Sequence, residues 1–152
     1  MKALVQRVSR AEVRVAGEVI ARAGAGMLVL VGVERTDGEG EAERLAERVA
    51  RYRFFPDEAG RMNRSILDAG GEALVVSQVT LAALGTGRRP SFDLAAPPER
   101  ADALYRAFAA ALAALGVPTR IGAFGARMEV ELVNDGPVTF LLEEGGPGRR
   151  RR

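Results

Sequence analysis

Met27-Leu28-Val29-Leu30-Val31-Gly32-Val33 is an unbroken apolar run of strand length, and its reading decides the fold. A strand with one wet face alternates apolar and polar residues, so a run with no polar position is expected where other layers cover both faces. This is the predicted central strand. Upstream, Leu4-Val5-Gln6-Arg7-Val8 leads into Ala11-Glu12-Val13-Arg14-Val15, which alternates strictly, and Ala16-Gly17-Glu18 with Val19-Ile20 completes a hairpin. Downstream, Thr36-Asp37-Gly38-Glu39 supplies a capping-box signature, and Ala42, Leu45, Ala46, Val49 and Tyr52 recur at helical spacing to about Arg53.

Farther out, Phe54-Phe55-Pro56 through Met62-Asn63 reads as a short strand, a turn and a return. A second buried strand is predicted over Ala73-Leu74-Val75-Val76-Ser77-Gln78-Val79-Thr80, then a loop over 85–96. Pro97-Pro98-Glu99 starts an Ala-rich helix that runs to about Leu115, where Gly116 closes it. Arg127 to Val133 alternates, and Asn134-Asp135-Gly136-Pro137 separates it from Val138 to Leu142, which predicts a terminal strand pair around a turn. The sum is an α/β class chain: one mixed α/β domain with about seven or eight strands and two principal helices, residues 1–144, followed by a Gly/Arg-rich tail at 145–152 expected to be flexible.

Composition narrows the chemistry. At 152 residues the chain makes one core, burying roughly 68–70% of its unfolded surface. With 47% hydrophobic and 28% charged residues it reads as soluble and globular, with no membrane span. It has no His and no Cys, which removes Ser-His-Asp and Cys-His catalysis, thiolate or imidazole zinc sites and disulfides. No signal-peptide apolar region follows Met1, so a cytoplasmic location is expected. Of 22 basic residues, four are Arg149 to Arg152, which leaves 18 against 20 acidic ones in the body. The tail is expected to be a solvated end or a phosphate contact.

Several residues bear on function. Gly24-Ala25-Gly26 precedes a strand rather than following one, which argues against a dinucleotide turn. Glu129 and Glu131 share one strand face that reads as solvated. Ser77-Gln78-Val79-Thr80 ends a buried strand in polar groups, where backbone and hydroxyls can line a cleft. Thr80 as a nucleophile would need a base, and Lys2 is the only lysine. Gly136-Pro137 lies between two strand segments, where X-Pro bonds can be cis. Gly87-Arg88-Arg89-Pro90-Ser91-Phe92 combines arginines with an aromatic, which suits either phosphates and a stacked base or a surface loop anchored by Phe92.

Taken in order, Ser77-Gln78-Val79-Thr80-Leu81, Gly87-Arg88-Arg89-Pro90-Ser91-Phe92, Gly122-Ala123-Phe124-Gly125-Ala126-Arg127-Met128 and Asn134-Asp135-Gly136-Pro137-Val138-Thr139-Phe140 resemble the signature segments of the D-aminoacyl-tRNA deacylase family. Leu4 to Val8 and Arg48 to Asn63 extend the similarity over about residues 1–143. The resemblance implies a β-barrel-like strand arrangement and a homodimeric carboxylic ester hydrolase. Its substrate would be aminoacyl-tRNA, from whose 3′ end it releases D-amino acids, and glycine in some settings. No metal or organic cofactor is implied.

The same resemblance assigns the residues. A Gly-Pro pair at Gly136 and Pro137 enters the other subunit's pocket with Arg7 in support, its two carbonyls leaving no room for an L side chain. Obstruction of this kind excludes one enantiomer while the D side chain points outward. Because the ester is already activated, the expected chemistry is oxyanion stabilisation by the backbone of Gln78 and Val79 beside Thr80, with help from the tRNA 2′-hydroxyl, in preference to a Thr80 acyl-enzyme. Ser77 and Gln78 form one wall, Phe124 and Met128 the adenosine side. Val79 departs from the family, which commonly has an aromatic there. The other function class is a non-catalytic tRNA-binding module working through the basic loop and tail.

Overall fold

The computed structural model describes residues 1–145, so the predicted tail lies outside the described residues apart from Gly145. Eight strands and three helices follow in the order β1 (Lys2–Val15), β2 (Glu18–Ala23), β3 (Gly26–Gly32), α1 (Glu39–Arg51), β4 (Phe55–Pro56), β5 (Met62–Arg64), α2 (Ile66–Ala69), β6 (Glu72–Ser77), α3 (Pro98–Ala114), β7 (Thr119–Ile121) and β8 (Glu129–Glu143). The main sheet runs β2-β1-β3-β6-β7, with β8 on the other side of β1. β3, β6 and β7 are parallel to one another, whereas β1 is antiparallel to β2, β3 and β8.

The apolar run of β3 is covered on both faces. Met27, Val29 and Val31 point into a core shared with α1 and α3, including Leu45, Val49, Tyr105 and Phe108. Leu28 and Leu30 point the other way, into a second core with Val8, Val13, Leu74 and Val76. β6 divides its residues the same way. β1 serves both cores in turn: Ala3 and Val5 lie with the helices, Val8, Ala11 and Val13 with the second core. β1 is long enough to pair with β2, β3 and β8 together, which gives the nearly closed, barrel-like sheet.

Four expectations differ in detail. The second buried strand stops at Ser77, and Val79–Ala82 forms a 3-10 turn instead. The terminal strand pair is one strand: both halves of β8 pair with β1, and Asp135 to Val138 bulge out opposite the single residue Arg7. Alternation on both sides of a proline reads as a hairpin because sequence does not reveal a shared partner strand. Helix α1 begins at Glu39 behind an N-cap at Gly38 rather than on the Thr36 signature, and Glu41 Oε2 accepts from Gly38 N at 2.8 Å. Asp37 is instead buried, bound to the Met1 ammonium at 2.8 Å and to Glu34 N at 2.7 Å. Strand β7 carries no apolar alternation and was not predicted.

Candidate functional site

Parallel strands β3, β6 and β7 end together, and ligand clefts in parallel sheets form outside such carboxyl ends. β6 ends at Ser77, opposite Val31 of β3. Gln78 N still pairs with Val31 O at 2.8 Å, after which the chain turns through Val79–Ala82. A 3-10 turn leaves its first amides without internal partners. Among the described residues, the amides of Val79 and Thr80 meet no acceptor, and both residues are exposed.

What holds this turn is backbone packing. Gly32 ends β3 directly beneath it, and a Cβ on Gly32 would stand 2.7 Å from Leu81 Cβ and 3.3 Å from Gln78 O. Only glycine permits that approach. Lys2, on the neighbouring strand β1, donates from Nζ to Leu81 O at 3.1 Å and sits 3.5 Å from Glu34 Oε1. Neither residue was foreseen as part of the site. Lys2 is the sole lysine in the sequence but carries no pattern that points to Leu81, whereas Gly32 closes an apolar strand, a signal of close backbone approach.

The Thr80 hydroxyl accepts from Gln78 Nε2 at 2.5 Å. That partner is a neutral amide donor, and no base reaches the hydroxyl among the described residues. Beyond β7, Gly122 N pairs with Val75 O at 3.0 Å, which keeps the chain beside the last residues of β6. Met128 packs back on this segment, its Sδ 2.9 Å from where a Gly122 Cβ would lie, beside Val76. Phe124 stacks at a tilt on Tyr105 with centroids 6.0 Å apart, and Tyr105 Oη donates to Gly122 O at 3.3 Å. Burial pushes the Tyr105 pKa up, which keeps that donor protonated.

Ser77–Thr80 thus follow the end of β6, Met128 lies beside Gly122 and against the second core, and Phe124 lies on Tyr105 against the first, whereas Gly136 and Pro137 stand apart from Ser77–Thr80. The bulge faces Arg7, which pairs with Met27, four residues before Val31. At about 3.3 Å per residue that is roughly 13 Å along the strands, with three strand spacings of about 4.8 Å between β8 and β6. Asp135, Gly136 and Pro137 are exposed, and the Gly136-Pro137 peptide is cis.

The bulge is nonetheless firmly tied. Arg7 donates from Nε to Asp135 O at 3.0 Å and from Nη1 to Phe54 O at 2.9 Å. Asn134 Oδ1 accepts from Val138 N at 2.9 Å. Phe54 is itself fixed by Phe55 and Phe140, with centroids 4.6 and 6.3 Å away. Glu131, by contrast, is engaged by Arg10 and Arg14 on the outer face of β8, as a solvated-face residue should be. No cluster of three or more His, Cys, Asp or Glu side chains suited to a metal occurs among the described residues. No helix there is long and apolar enough to cross a membrane.

Comparison with known proteins covers nearly the whole chain. The sequence profile of the family described as D-Tyr-tRNA(Tyr) deacylase matches residues 4–143. A D-aminoacyl-tRNA deacylase of Paracoccus denitrificans is 60% identical over 144 residues, 94% of this chain and 97% of that protein. One from Ruegeria pomeroyi is 57% identical over 144 residues, covering 94% and 99%. Among solved structures, the c-Myc DNA Unwinding Element Binding Protein superimposes with a TM-score of 0.91 at 42% identity, over 96% of this chain and all of that one.

Proposed function

This chain belongs to the D-Tyr-tRNA(Tyr) deacylase family, and from that premise we propose that it hydrolyses the ester of D-aminoacyl-tRNA, releasing the D-amino acid and free tRNA. The observation that carries the proposal is the exposed turn at the end of β6, with two unpartnered amides and a hydroxyl that lacks a base. An aminoacyl ester is already activated. Positioning it and stabilising the negative charge on its carbonyl oxygen are worth several orders of magnitude without any imidazole.

Water adds to the ester carbonyl carbon, and the oxygen becomes an oxyanion held by the backbone amides at Val79 and Thr80, with Gln78 orienting the Thr80 hydroxyl. The intermediate collapses by expelling the ribose oxygen, which takes up the proton lost by water. The adjacent tRNA 2′-hydroxyl assists that proton transfer. Phe124 and Met128 support the terminal adenosine, with Ser77 and Gln78 on the facing side. An aromatic at Val79 is dispensable on this scheme, because only the amide of that residue acts.

Chiral selection comes from a homodimer in which Gly136 and Pro137 of the partner subunit reach the site. The separation of the bulge from Ser77–Thr80 within one chain, its exposure and its tether to Arg7 support a part that acts on another copy. An obstruction there excludes an L side chain and admits D residues, and glycine in part. The cellular role is chiral proofreading during translation, in the cytoplasm.

The experiment compares release of amino acid from D-tyrosyl-tRNA and L-tyrosyl-tRNA by the purified protein with chelator present. Selective release of D-tyrosine is expected. Binding of tRNA without cleavage of either ester overturns the proposal in favour of a non-catalytic binding module.

A further inference from the structure

The segments that leave the ends of β3, β6 and β7 carry Arg35, Arg88, Arg89 and Arg127, all exposed. Among the described residues none of the four has an ion pair or a side-chain hydrogen bond. Much of the remaining surface is different: Arg14 meets Glu131, Arg44 meets Glu41, Arg51 meets Glu47 and Arg106 meets Asp102. Arg61 and Arg120 are also unpaired, but stand at the β4–β5 turn and on the edge strand β7. What distinguishes the four is convergence at one edge, around the proposed site.

The backbone fixes that convergence for Arg35, Arg88 and Arg89, while Arg127 enters by following β7, whose neighbour in the sheet is β6. Leu84 and Ser91 pair both ways, at 2.8 and 3.1 Å, which makes Arg88 and Arg89 the tip of a closed loop directly after the 79–82 turn. The same loop is sewn to the end of β3 by Arg35 N to Leu94 O at 2.9 Å and Ala96 N to Val33 O at 3.0 Å. Phe92 lies at its base, exposed at 43%, and Val79 is exposed at 52%. Asp93 is the acidic residue within this loop, between Phe92 and Leu94.

We propose that Arg35, Arg88, Arg89 and Arg127 form a phosphate-binding rim that seats the double-helical arm of the tRNA beside its ester-bearing end, with Phe92 as a platform for an unpaired base. The inference rests on the proposed function for its ligand. Unpaired guanidiniums can take phosphates without first breaking an ion pair, and their planar donor sets match phosphate oxygens. Contacts of this kind carry no base information, so one rim serves tRNAs of different sequence. Exposed aromatic faces beside such a rim stack bases with similar tolerance.

The test is binding of uncharged tRNA by the full chain between about 50 and 200 mM salt, the range over which phosphate contacts are most visible. Each lost contact lowers the slope of log affinity against log salt by about 0.9. The double variant R88Q/R89Q is expected to lower it by about 2, and R35Q/R127Q to do so independently; R106Q, which removes a guanidinium already paired with Asp102, keeps the wild-type slope. Wild-type slopes in both double variants overturn the rim. Hydrolysis of D-tyrosyl-tRNA by the same wild-type preparation separates the two readings. Binding with the full slope but no release of D-tyrosine sinks the proposed function and leaves the rim; release of D-tyrosine with unchanged variant slopes does the reverse.

Discussion

Replacing Gly32 with alanine tests whether backbone position, rather than the Thr80 hydroxyl, carries the reaction. The new methyl would lie 2.7 Å from Leu81 Cβ, 3.3 Å from Gln78 O and 3.5 Å from Ala82 N. Carbon atoms settle at about 3.5–4.0 Å, so the turn must retreat by about 1 Å. None of these three atoms is a flexible side-chain end that could swing aside. A shift of about 1 Å in positioned groups costs about 100-fold in rate, or about 2.7 kcal/mol of transition-state stabilisation.

Overpacking costs a further 1–3 kcal/mol or so of stability, lowering Tm by roughly 2–12 °C and leaving the protein folded at assay temperature. The assay is single-turnover hydrolysis of D-tyrosyl-tRNA, with far-ultraviolet circular dichroism to verify the fold. Gly32→Ala is expected to lose about 100-fold, and Thr80→Ala less than about tenfold. The order is the point: a methyl behind the turn should do more harm than removal of the hydroxyl in front of it. A folded Gly32→Ala protein within threefold of wild type, or a Thr80→Ala protein worse than Gly32→Ala, refutes the backbone reading.

Lys2→Met removes the donor to Leu81 O and should lower kcat several-fold with little change in KM, while Lys2→Arg recovers part of the loss; equal effects of both variants on Tm and no change in kcat would count against a positioning role. Asp37→Ala strands the buried Met1 ammonium and should cost about 3–5 kcal/mol, seen as a Tm fall of roughly 6–20 °C in thermal melts. Arg7→Ala frees the 135–138 bulge and should reduce the D-to-L rate ratio by tenfold or more, with a smaller loss on the D ester; an unchanged ratio speaks against Arg7 as its brace. Glu41 is held below its ordinary pKa of 4.5, chiefly by the Gly38 amide. A depressed folded pKa adds stability above that ordinary value and loses it as pH falls through the folded one. Glu41→Gln should therefore lower Tm at neutral pH and converge with wild type in acid; a constant difference across pH would contradict the assignment.

The local code in this chain is strong wherever one element answers to one pattern. Apolar continuity in Met27 to Val33 specified a strand covered twice, and the structure gives its alternate residues to two cores. Pro98 and Gly116 marked the ends of α3, and Ala16-Gly17 the first hairpin. The segments around Ser77–Thr80, Phe124–Met128 and Asn134–Phe140 were legible through their resemblance to a family, each by residue type and order. Absence of histidine and cysteine excludes Ser-His-Asp and Cys-His catalysis from composition alone.

Other features depend on residues far apart in the chain, which no local pattern records. That β8 is one strand follows from both halves sharing β1 as partner, a fact carried by Lys2–Val15 and not by Glu129–Glu143 itself. Gly32 matters because Leu81, 49 positions away, needs the space of its missing Cβ. In sequence Lys2 is only the sole lysine until the fold brings Leu81 O to its ammonium, and Asp37 reads as part of a cap until the Met1 amine arrives beside it. Sequence by itself determined the long strands and the two long helices, and which side-chain chemistry the composition lacks. Tertiary structure decided which backbone atoms stand unpaired at the strand ends and what holds them there, because those positions are set by contacts whose partners only the folded chain brings within reach.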